Sequence, residues 1–182
     1  MASGIACAET RWEVDKAKSK IGFAASYNGD PVNGSFAQFY PDIVFDPGNL
    51  DASAITVKIP IASIQTNYDE RDATVQMQPW FDSKSYPEAV FISQKIIKTG
   101  EQSYHADGTL TIKGIQKPTG FDFHFTEWKE NRALNIVNAV MQADFTVMRN
   151  DFKVGEGQWA DDKLIGNKIS VHLSVAASRP IN

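Results

Sequence analysis

"DGTLTIKGIQKP", residues 107–118, opens on a turn-forming Asp-Gly pair, alternates polar with apolar residues, and closes on a glycine, a lysine and a proline. Alternation with a period of two is typical of a β-strand, because successive side chains point to opposite faces of a sheet. Leu110 and Ile112 therefore share an apolar face, opposite a polar face that ends at Lys113. The stretch predicts a strand between two turns, whose apolar face meets either a packed core or a hollow.

The same alternation recurs along the chain. It is clearest in residues 20–27, 55–61, 121–126 and 168–175, and weaker in residues 11–15, 36–45, 89–97, 102–113 and 133–147. Turns are predicted at Asn28-Gly29, Asn33-Gly34, Pro47-Gly48, Thr99-Gly100 and Asp107-Gly108. These segments predict about eight or nine strands joined mostly by short connections.

One segment, residues 66–87, breaks this pattern. Asn67 followed three residues later by Glu70 resembles a helix capping box, and the helix-compatible run that follows stops at Pro79. We expect a short helix and then a turn that carries Trp80 and Phe81.

Many antiparallel strands with a single helical insertion favour a closed sheet, because closure removes the exposed edges that long apolar strands would present. We therefore predict an all-β fold, an antiparallel up-and-down barrel of about eight strands with one short helical insertion. A two-sheet sandwich is the alternative.

Composition limits the function classes. The 182 residues are enough for one well-buried core and suggest a single domain. A net charge of −4 and no run of Lys or Arg argue against nucleic acid as a partner. The longest apolar runs fall far short of the roughly 20 residues that cross a bilayer.

The N-terminus carries a faint targeting signal. Ala6-Cys7-Ala8 matches the A-x-A pattern at the end of a secretory signal peptide, although no apolar segment precedes it. We expect residues 1–8 to be a signal-peptide remnant and residues 9–182 to form the domain, the alternative being a chance pattern. Cys7 is the only cysteine, so no disulfide can form within the chain.

Catalytic and metal-binding signatures are missing from the sequence. His105, His124 and His172 are scattered, with none of the spacings that place two ligands on one element. We predict no catalytic residue, no metal site and no cofactor.

The barrel interior decides the function. About eight strands enclose a space that is either filled by side chains or holds one small ligand. The 11 Phe and 4 Trp favour a cavity, since they supply apolar wall and lid material. The alternative is that Met77, Trp80 and Phe81 cap a dry core.

An ordered series of residues carries a family resemblance. It comprises Trp12 and Asp15; Val32, Gly34, Phe36 and Phe39; Ile43 with Phe45-Asp46-Pro47; Ala62-Ser63-Ile64 with Thr66; Arg71-Asp72; Phe81-Asp82; Tyr86-Pro87; most of residues 108–118; and Arg149 with Asp151-Phe152. From Trp12 to about Val175 the chain resembles the YceI-like family.

This resemblance implies a lipocalin-like barrel that is exported in bacteria, hence periplasmic, and that binds a polyisoprenoid or similar amphiphilic lipid in an apolar tunnel. It hints at isoprenoid quinones, because such domains occur near cytochrome b561-type membrane proteins. Association with a membrane or a b561-type cytochrome, and homodimer formation, stay open.

The chain also departs from the family pattern. Lys18-Ser19 stands where His-Ser is common, Tyr27 where a second His often follows, and Pro41 and Lys153 each replace a usual Gly. Loss of both histidines puts in doubt any metal or proton-transfer role of the relatives.

Strand parity predicts the cavity wall. If Lys20, Lys58, Asp122 and Lys168 face outward, because a closed interior would not accept them unpaired, the opposite parity lines the cavity. The predicted ligand-binding residues are Phe23, Phe36, Phe39, Phe45, Ile59, Ile61, Ile64, Met77, Trp80, Phe81, Phe91, Ile112, Phe123, Met141, Phe145 and Val171.

Three polar residues, Arg71, Asp72 and Arg149, are the candidates for contacts with a lipid head group or for a structural role. An ion pair between Arg71 and Asp72 that ties the helix to the barrel is the favoured interpretation of the first two. A non-catalytic lipid carrier is the preferred function. An enzyme acting on such a lipid and a protein-interaction module with a filled barrel are the alternatives.

Overall fold

All strands join one antiparallel sheet in the computed structural model, which describes residues 10–181. The predicted signal remnant and Cys7 lie outside this range. The strands are β1 (Arg11–Val14), β2 (Lys20–Tyr27), β3 (Asp30–Phe36), β4 (Tyr40–Val44), β5 (Ala54–Pro60), β6 (Ile64–Gln65), β7 (Glu88–Lys98), β8 (Ser103–Ile112), β9 (Ile115–Asn131), β10 (Ile136–Met148) and β11 (Lys168–Pro180), and the helix is α1 (Asp69–Gln76).

Three of the long strands are interrupted. β1 and β2 are separated by a short 3₁₀ helix, Lys16–Lys18, whose first turn is capped by the Asp15 carboxylate. Residues 37–39 separate β3 from β4, and the 3₁₀ helix Ile61–Ser63 separates β5 from β6. These three pairs and the five unbroken strands β7–β11 make an eight-stranded barrel.

The sheet closes through β11. This strand pairs with β10 along its whole length, and its other edge pairs with β2 through residues 170–174 and with β1 at Ala177 and Ser178. β1 also pairs with β4, so the order of neighbours returns to its starting point. The up-and-down barrel is thereby confirmed, and the sandwich alternative is wrong.

Two of the predicted turns are wrong. Asn28-Gly29 does form a tight hairpin, with φ of 50° and 86°. Asn33-Gly34 and Asp107-Gly108, however, lie inside β3 and β8, and the turn after β8 is Lys113-Gly114, with φ of 52° and 73°.

Gly34 and Gly108, which were predicted in turns, allow close packing within strands instead. A Cβ on Gly34 would lie 2.3 Å from the Phe23 ring. A Cβ on Gly108 would lie 2.6 Å from the Phe91 ring and 2.4 Å from the Ile92 carbonyl oxygen, next to a bulge in β7. Each glycine lets an aromatic ring cover the strand backbone.

The helical insertion is present, but its predicted cap is wrong. α1 begins at Asp69, and no side chain caps its first turn. Asn67 has a φ of 59°, which turns the chain before the helix. The Asp72 carboxylate instead accepts hydrogen bonds from the Thr66 backbone N–H and hydroxyl, so the helix is anchored to the end of β6 from within its first turn.

An aromatic stack lies at the barrel end opposite the helix. The rings of Trp12 and Trp128 are 5.3 Å apart, and the Arg179 guanidinium lies 5.3 Å and 5.9 Å from their centroids. The Trp12 Nε1 donates to the Phe45 carbonyl oxygen at 2.9 Å. This stack closes one end, so an opening is expected at the other.

Replacing Gly108 with alanine tests the close packing. Gly108→Ala should lower the free energy of unfolding by about 1–3 kcal/mol, because the added methyl group meets a carbonyl oxygen that cannot move without disturbing the ladder. Gly22→Ala is the control: its Cβ would meet nothing closer than 3.6 Å, and the change should stay within about 1 kcal/mol. Urea unfolding followed by circular dichroism measures both; equal stabilities would contradict the packing argument.

Candidate ligand cavity

The barrel interior is hollow. One cavity of about 510 Å³ lies at the helix end, and a narrower one of about 120 Å³ lies deeper in the barrel. Both are lined by Ile21, Ile59, Leu110, Phe145 and Val171, so the two spaces follow one another along the barrel. We call them the wide chamber and the narrow chamber.

Strand parity predicted the direction of the side chains correctly. Lys20, Lys58, Asp122 and Lys168 are exposed. Their neighbours of opposite parity line the chambers. The charged residues face outward because burying an unpaired charge is costly.

The narrow chamber is almost entirely apolar. Among the described residues that line it, only Thr119 has a side-chain oxygen. Aromatic rings dominate the wall: Phe121 stacks on Phe145 with centroids 4.8 Å apart, and Phe45 packs edge-on against Phe123 at 5.9 Å. Such a wall offers nothing to a polar group and suits a hydrocarbon chain.

The wide chamber has a mixed wall. Its deep side is apolar, whereas residues near the helix end add hydroxyl, carboxylate and guanidinium groups from Tyr27, Thr66, Tyr68, Glu70 and Arg71. Tyr27 and Tyr68 are 46% and 53% exposed, so this part of the wall borders solvent. Polarity therefore increases from the closed end of the barrel toward the helix.

Fifteen of the sixteen predicted lining residues line one chamber or both. Phe39, Phe45, Phe91, Phe123 and Met141 lie on the narrow chamber; Ile59, Phe145 and Val171 lie on both; Phe23, Phe36, Ile61, Ile64, Trp80, Phe81 and Ile112 lie on the wide chamber. Whether these residues contact a ligand stays a prediction.

Met77 is the exception, and its predicted place in the wall is wrong. Its side chain is 57% exposed. Met77 follows the last residue of α1, and its N–H donates to the Thr74 carbonyl while its own carbonyl accepts from the Trp80 N–H. This tight turn brings Trp80 inward and leaves Met77 outside, while Val75 supplies the apolar wall from the helix.

Arg71 and Asp72 do not form the predicted ion pair in the described structure. Both bind Thr66 instead: the Arg71 Nε donates to the Thr66 hydroxyl at 2.7 Å and its Nη2 to the Thr66 carbonyl at 2.9 Å, while Asp72 accepts from the Thr66 N–H. The anchoring function is as expected, but a buried threonine mediates it. Arg71 also lines the wide chamber, whereas Asp72 does not.

Arg149 is a structural residue. It is 4% exposed, and its five N–H groups donate to the carbonyl oxygens of Val154, Gly155, Trp159, Ile165 and Gly166 at 2.7–3.1 Å. Because a guanidinium has five N–H donors, none is left for a ligand head group. Desolvation lowers the pKa of Arg149 from its ordinary value, which Asp162 at 3.8 Å partly offsets.

Sequence reasoning missed the loop that Arg149 organises. Residues 149–167 connect β10 to β11 and place Phe152, Val154, Trp159 and Ile165 on the wide chamber. The loop has no periodicity that would indicate burial. The signal that could have indicated burial was the number of large apolar residues in this segment, which its glycines and aspartates made look like a surface loop.

The turn in the middle of residues 107–118 contacts this loop. Lys113 Nζ donates to the Lys153 carbonyl at 2.7 Å and the Pro79 carbonyl at 3.3 Å, and it pairs with Glu156 at 3.2 Å. The Gly155 N–H also donates to the Pro79 carbonyl. The β8–β9 hairpin, the helical insertion and the β10–β11 loop are therefore joined around the wide chamber.

Outside the cavity, His105 pairs with two carboxylates. His105 Nδ1 lies 2.6 Å from Asp122 and its Nε2 lies 3.2 Å from Asp107. The hydrogen bond to Asp122 raises the pKa of His105 above its ordinary value. Within residues 10–181 no cluster of three His, Cys, Asp or Glu could hold a metal ion.

The strand order and the interior define the class of protein: a single-chain antiparallel barrel of the lipocalin-like kind, with an apolar cavity open toward a helical insertion. The YceI-like domain family matches residues 12–177. The chain therefore belongs to the YceI-like family.

Individual relatives agree with this assignment. A UPF0312 protein of Pseudomonas putida strain W619 is 32% identical over 145 residues, which cover 77% of this chain and 72% of the relative. BcnA of Burkholderia cenocepacia has a similar structure, with a TM-score of 0.81, 27% identity, and coverage of 90% of this chain and 99% of BcnA.

A third protein shares the fold at lower identity. It is a polyisoprenoid binding domain from Saccharophagus degradans, implicated in plant cell wall breakdown, with a TM-score of 0.71 and 14% identity over 93% of this chain and 98% of that domain.

No helix within residues 10–181 has the length and apolar character needed to span a bilayer.

Arg149→Lys tests the anchoring of the loop. Lysine has three donors on one atom and cannot satisfy five carbonyl groups spread around a planar guanidinium, so the variant should lose about 2–4 kcal/mol of stability. Hydrogen exchange should accelerate most in residues 149–167. Arg132→Lys, an exposed exchange in the β9–β10 turn, should change neither quantity; loss of the same size in both variants would contradict the assigned role.

His105 should make stability depend on pH. Because its folded pKa is raised, its contribution is fully present below its ordinary pKa of 6.5 and is lost as pH rises through the folded value. The partners are largely exposed, so the loss should be about 0.5 kcal/mol. His105→Gln should remove this loss in urea unfolding between pH 6 and pH 9, whereas His124→Gln should retain it; an unchanged profile in His105→Gln would refute the assignment.

Proposed function

We propose that this protein is a non-catalytic carrier that binds one long amphiphilic lipid of the polyisoprenoid class inside the barrel. The observation that carries the proposal is the gradient along the interior: a narrow apolar chamber in series with a wide chamber whose outer wall is polar. The tail occupies the narrow chamber, and the head group stays near the helix.

The size and chemistry of the interior support this proposal. A wide chamber of about 510 Å³ lies within the range of about 300–1,000 Å³ that is usual for small-molecule sites. Each methylene group transferred from water to such a wall contributes about 0.8 kcal/mol. Tail burial therefore supplies the affinity without any ionic contact.

The relatives add independent support. The Saccharophagus degradans domain is a polyisoprenoid binding domain with the same fold. Because that domain is only 14% identical to this chain, the main argument for the same class of ligand is the cavity of this chain and the residues that line it.

An enzyme acting on the lipid is the weaker alternative. Catalysis would require converging polar groups that are available to the ligand. The Arg149 donors are consumed by carbonyl groups, and Glu70 is the one carboxylate among the described residues that line the chambers, so no second carboxylate converges with it. A protein-interaction module with a filled barrel is disfavoured by the cavity itself.

We further propose that the carrier operates in the bacterial periplasm. Support comes from the A-x-A pattern at residues 6–8 and from the family resemblance. Transport between membranes, with an isoprenoid quinone as one candidate cargo, fits a container that encloses its guest.

Solvent extraction tests the proposed ligand. Protein purified from its native host and from a recombinant host should release a long isoprenoid or a lipid of similar length, identified by mass spectrometry. Protein stripped of lipid by unfolding and refolding should bind added polyprenyl compounds. Absence of lipid from both sources, together with no binding of added polyprenyl compounds, would refute the carrier function.

A charge placed in the wall should expel the lipid. Ile59 lines both chambers, so Ile59→Asp buries a carboxylate that has no partner, and should lose lipid and about 3 kcal/mol of stability together. Lys58→Asp makes a change on the outer face of the same strand and should keep its lipid. Lipid content per mole of protein is the measurement; an Ile59→Asp protein that retains its lipid would show that the guest lies elsewhere.

A further inference from the structure

We propose that the lipid enters and leaves the barrel sideways, through a window in its wall between residues 115–122 of β9 and residues 144–148 of β10, and that the stacked rings of Phe121 and Phe145 are the gate of this window. The inference rests on the proposed function, because it concerns the same guest. It goes beyond that function by assigning the route to one interval of the wall.

The first observation is a gap in the strand pairing. The β9–β10 ladder ends at Phe123 and Ala143, and within residues 10–181 no residue pair continues it toward the helix end. Along the same interval β10 stays paired with β11 as far as Met148, and β9 stays paired with β8 from Ile115 onward. Both strands therefore remain regular beside the gap, and only the pairing between them stops.

The sequence beside the gap explains why the ladder stops. The next step of the same register would place Asp122 opposite Asp144, and like charges in facing positions destabilise a pair of strands. The two carboxylates instead bind histidines on the outer neighbouring strands, Asp122 to His105 on β8 and Asp144 to His172 on β11. Pro118, further along β9, has no N–H to donate to a partner strand. The residues of the two edges therefore oppose closure of the ladder.

Two aromatic rings lie behind the gap. Phe121 and Phe145 stack with their centroids 4.8 Å apart and their planes inclined by 18°. Phe121 lines the narrow chamber, and Phe145 lines both chambers. On the outer side of the same two edges, Gly120 and Thr146 are exposed. The stacked rings therefore lie between the solvent and the junction of the two chambers.

Both ends of the window are held. One end is the last pair of the β9–β10 ladder, and at the other end Lys113 Nζ joins the β8–β9 turn to the Lys153 carbonyl at 2.7 Å. Rotation of the two rings opens the wall between these ends without breaking a strand pair, so the barrel stays intact while the gate moves.

The helix end offers a less direct route. Widening it requires hydrogen bonds to break, such as those from Thr66 to Asp72 of α1 and from the Gly155 N–H to the Pro79 carbonyl. A long tail that arrives there must also pass end first through the wide chamber to reach the narrow one. The window reaches both chambers at once, so the tail is laid in along its length.

A covalent staple across the window tests the route. Pro118 and Met148 are exposed and face each other in the continued register, so Pro118→Cys and Met148→Cys can be joined by a short bismaleimide, with Cys7→Ser removing the native thiol. The matched control joins Met148→Cys to Lys168→Cys, an exposed pair within the β10–β11 ladder. Each protein before reaction with the bismaleimide is its own reference.

The probe is a geranylgeranyl chain that carries a terminal dansyl group, added to lipid-free protein. Stopped-flow fluorescence gives the association and dissociation rates, and titration gives the affinity. The window staple should slow both rates by about tenfold or more and leave the affinity within about twofold, because the staple blocks the route and not the bound state. The control staple should change neither rate.

Removal of one gate ring should have the opposite effect. Phe145→Leu should raise the association and dissociation rates together, by about fivefold, because the stack no longer closes the window. Phe23→Leu is the matched control: it removes one ring of the Phe23–Phe36 pair from the wide chamber, behind the intact β2–β3 ladder. It should raise the dissociation rate alone.

Two results would overturn the inference. One is unchanged rates in the protein with the stapled window, which would mean that the guest uses the helix end. The other is equal slowing by both staples, which would mean that the cross-link acts by stiffening β10. Failure of the probe to bind the unaltered protein is a separate result, because it would refute the carrier function itself.

Discussion

The closure of the sheet at β11 is the constraint on which the rest of the structure depends. One strand pairs with β10 on one edge and with β2 and β1 on the other, so the paired backbone groups of β11 are satisfied within the ladder. A closed ladder needs no packed core to hold its shape. The interior can therefore stay partly empty, and its side chains can be chosen for a guest.

Much of this arrangement follows from local pattern. Alternation in residues 20–27 and 168–175 gave both the strands and the direction of their side chains, because burying Lys20 or Lys168 would be costly. The length of β9 could not be predicted, since Pro118 normally interrupts a strand. Pro118 pairs with Thr109 of β8 in the part of β9 that has no partner on β10, so its missing N–H costs nothing.

The remaining failures have a common cause in tertiary contacts. Asp107-Gly108 looked like a turn because an Asp-Gly pair favours one locally, whereas the Phe91 ring that requires this glycine comes from another strand. The role of Arg149 depends on five carbonyl groups that the loop brings together only when folded. Thr66 belongs to the family series in the sequence, but no local pattern indicated that it binds both Arg71 and Asp72.

The interruptions of the first three strands lie side by side across the barrel. The Ser63 carbonyl accepts from the Ala37 N–H, and the Ser19 hydroxyl bridges the Asp15 carbonyl and the Ala176 N–H. On this side the ladder is divided into shorter paired segments, and Phe39 and Ile61, which lie in two of the interruptions, are buried. On this side the width of the interior is therefore set by the side chains of Phe39, on the narrow chamber, and Ile61, on the wide chamber. Replacing one of these side chains with a smaller or larger one would widen or narrow the cavity for a thicker or thinner guest, while every main-chain pairing stays in place.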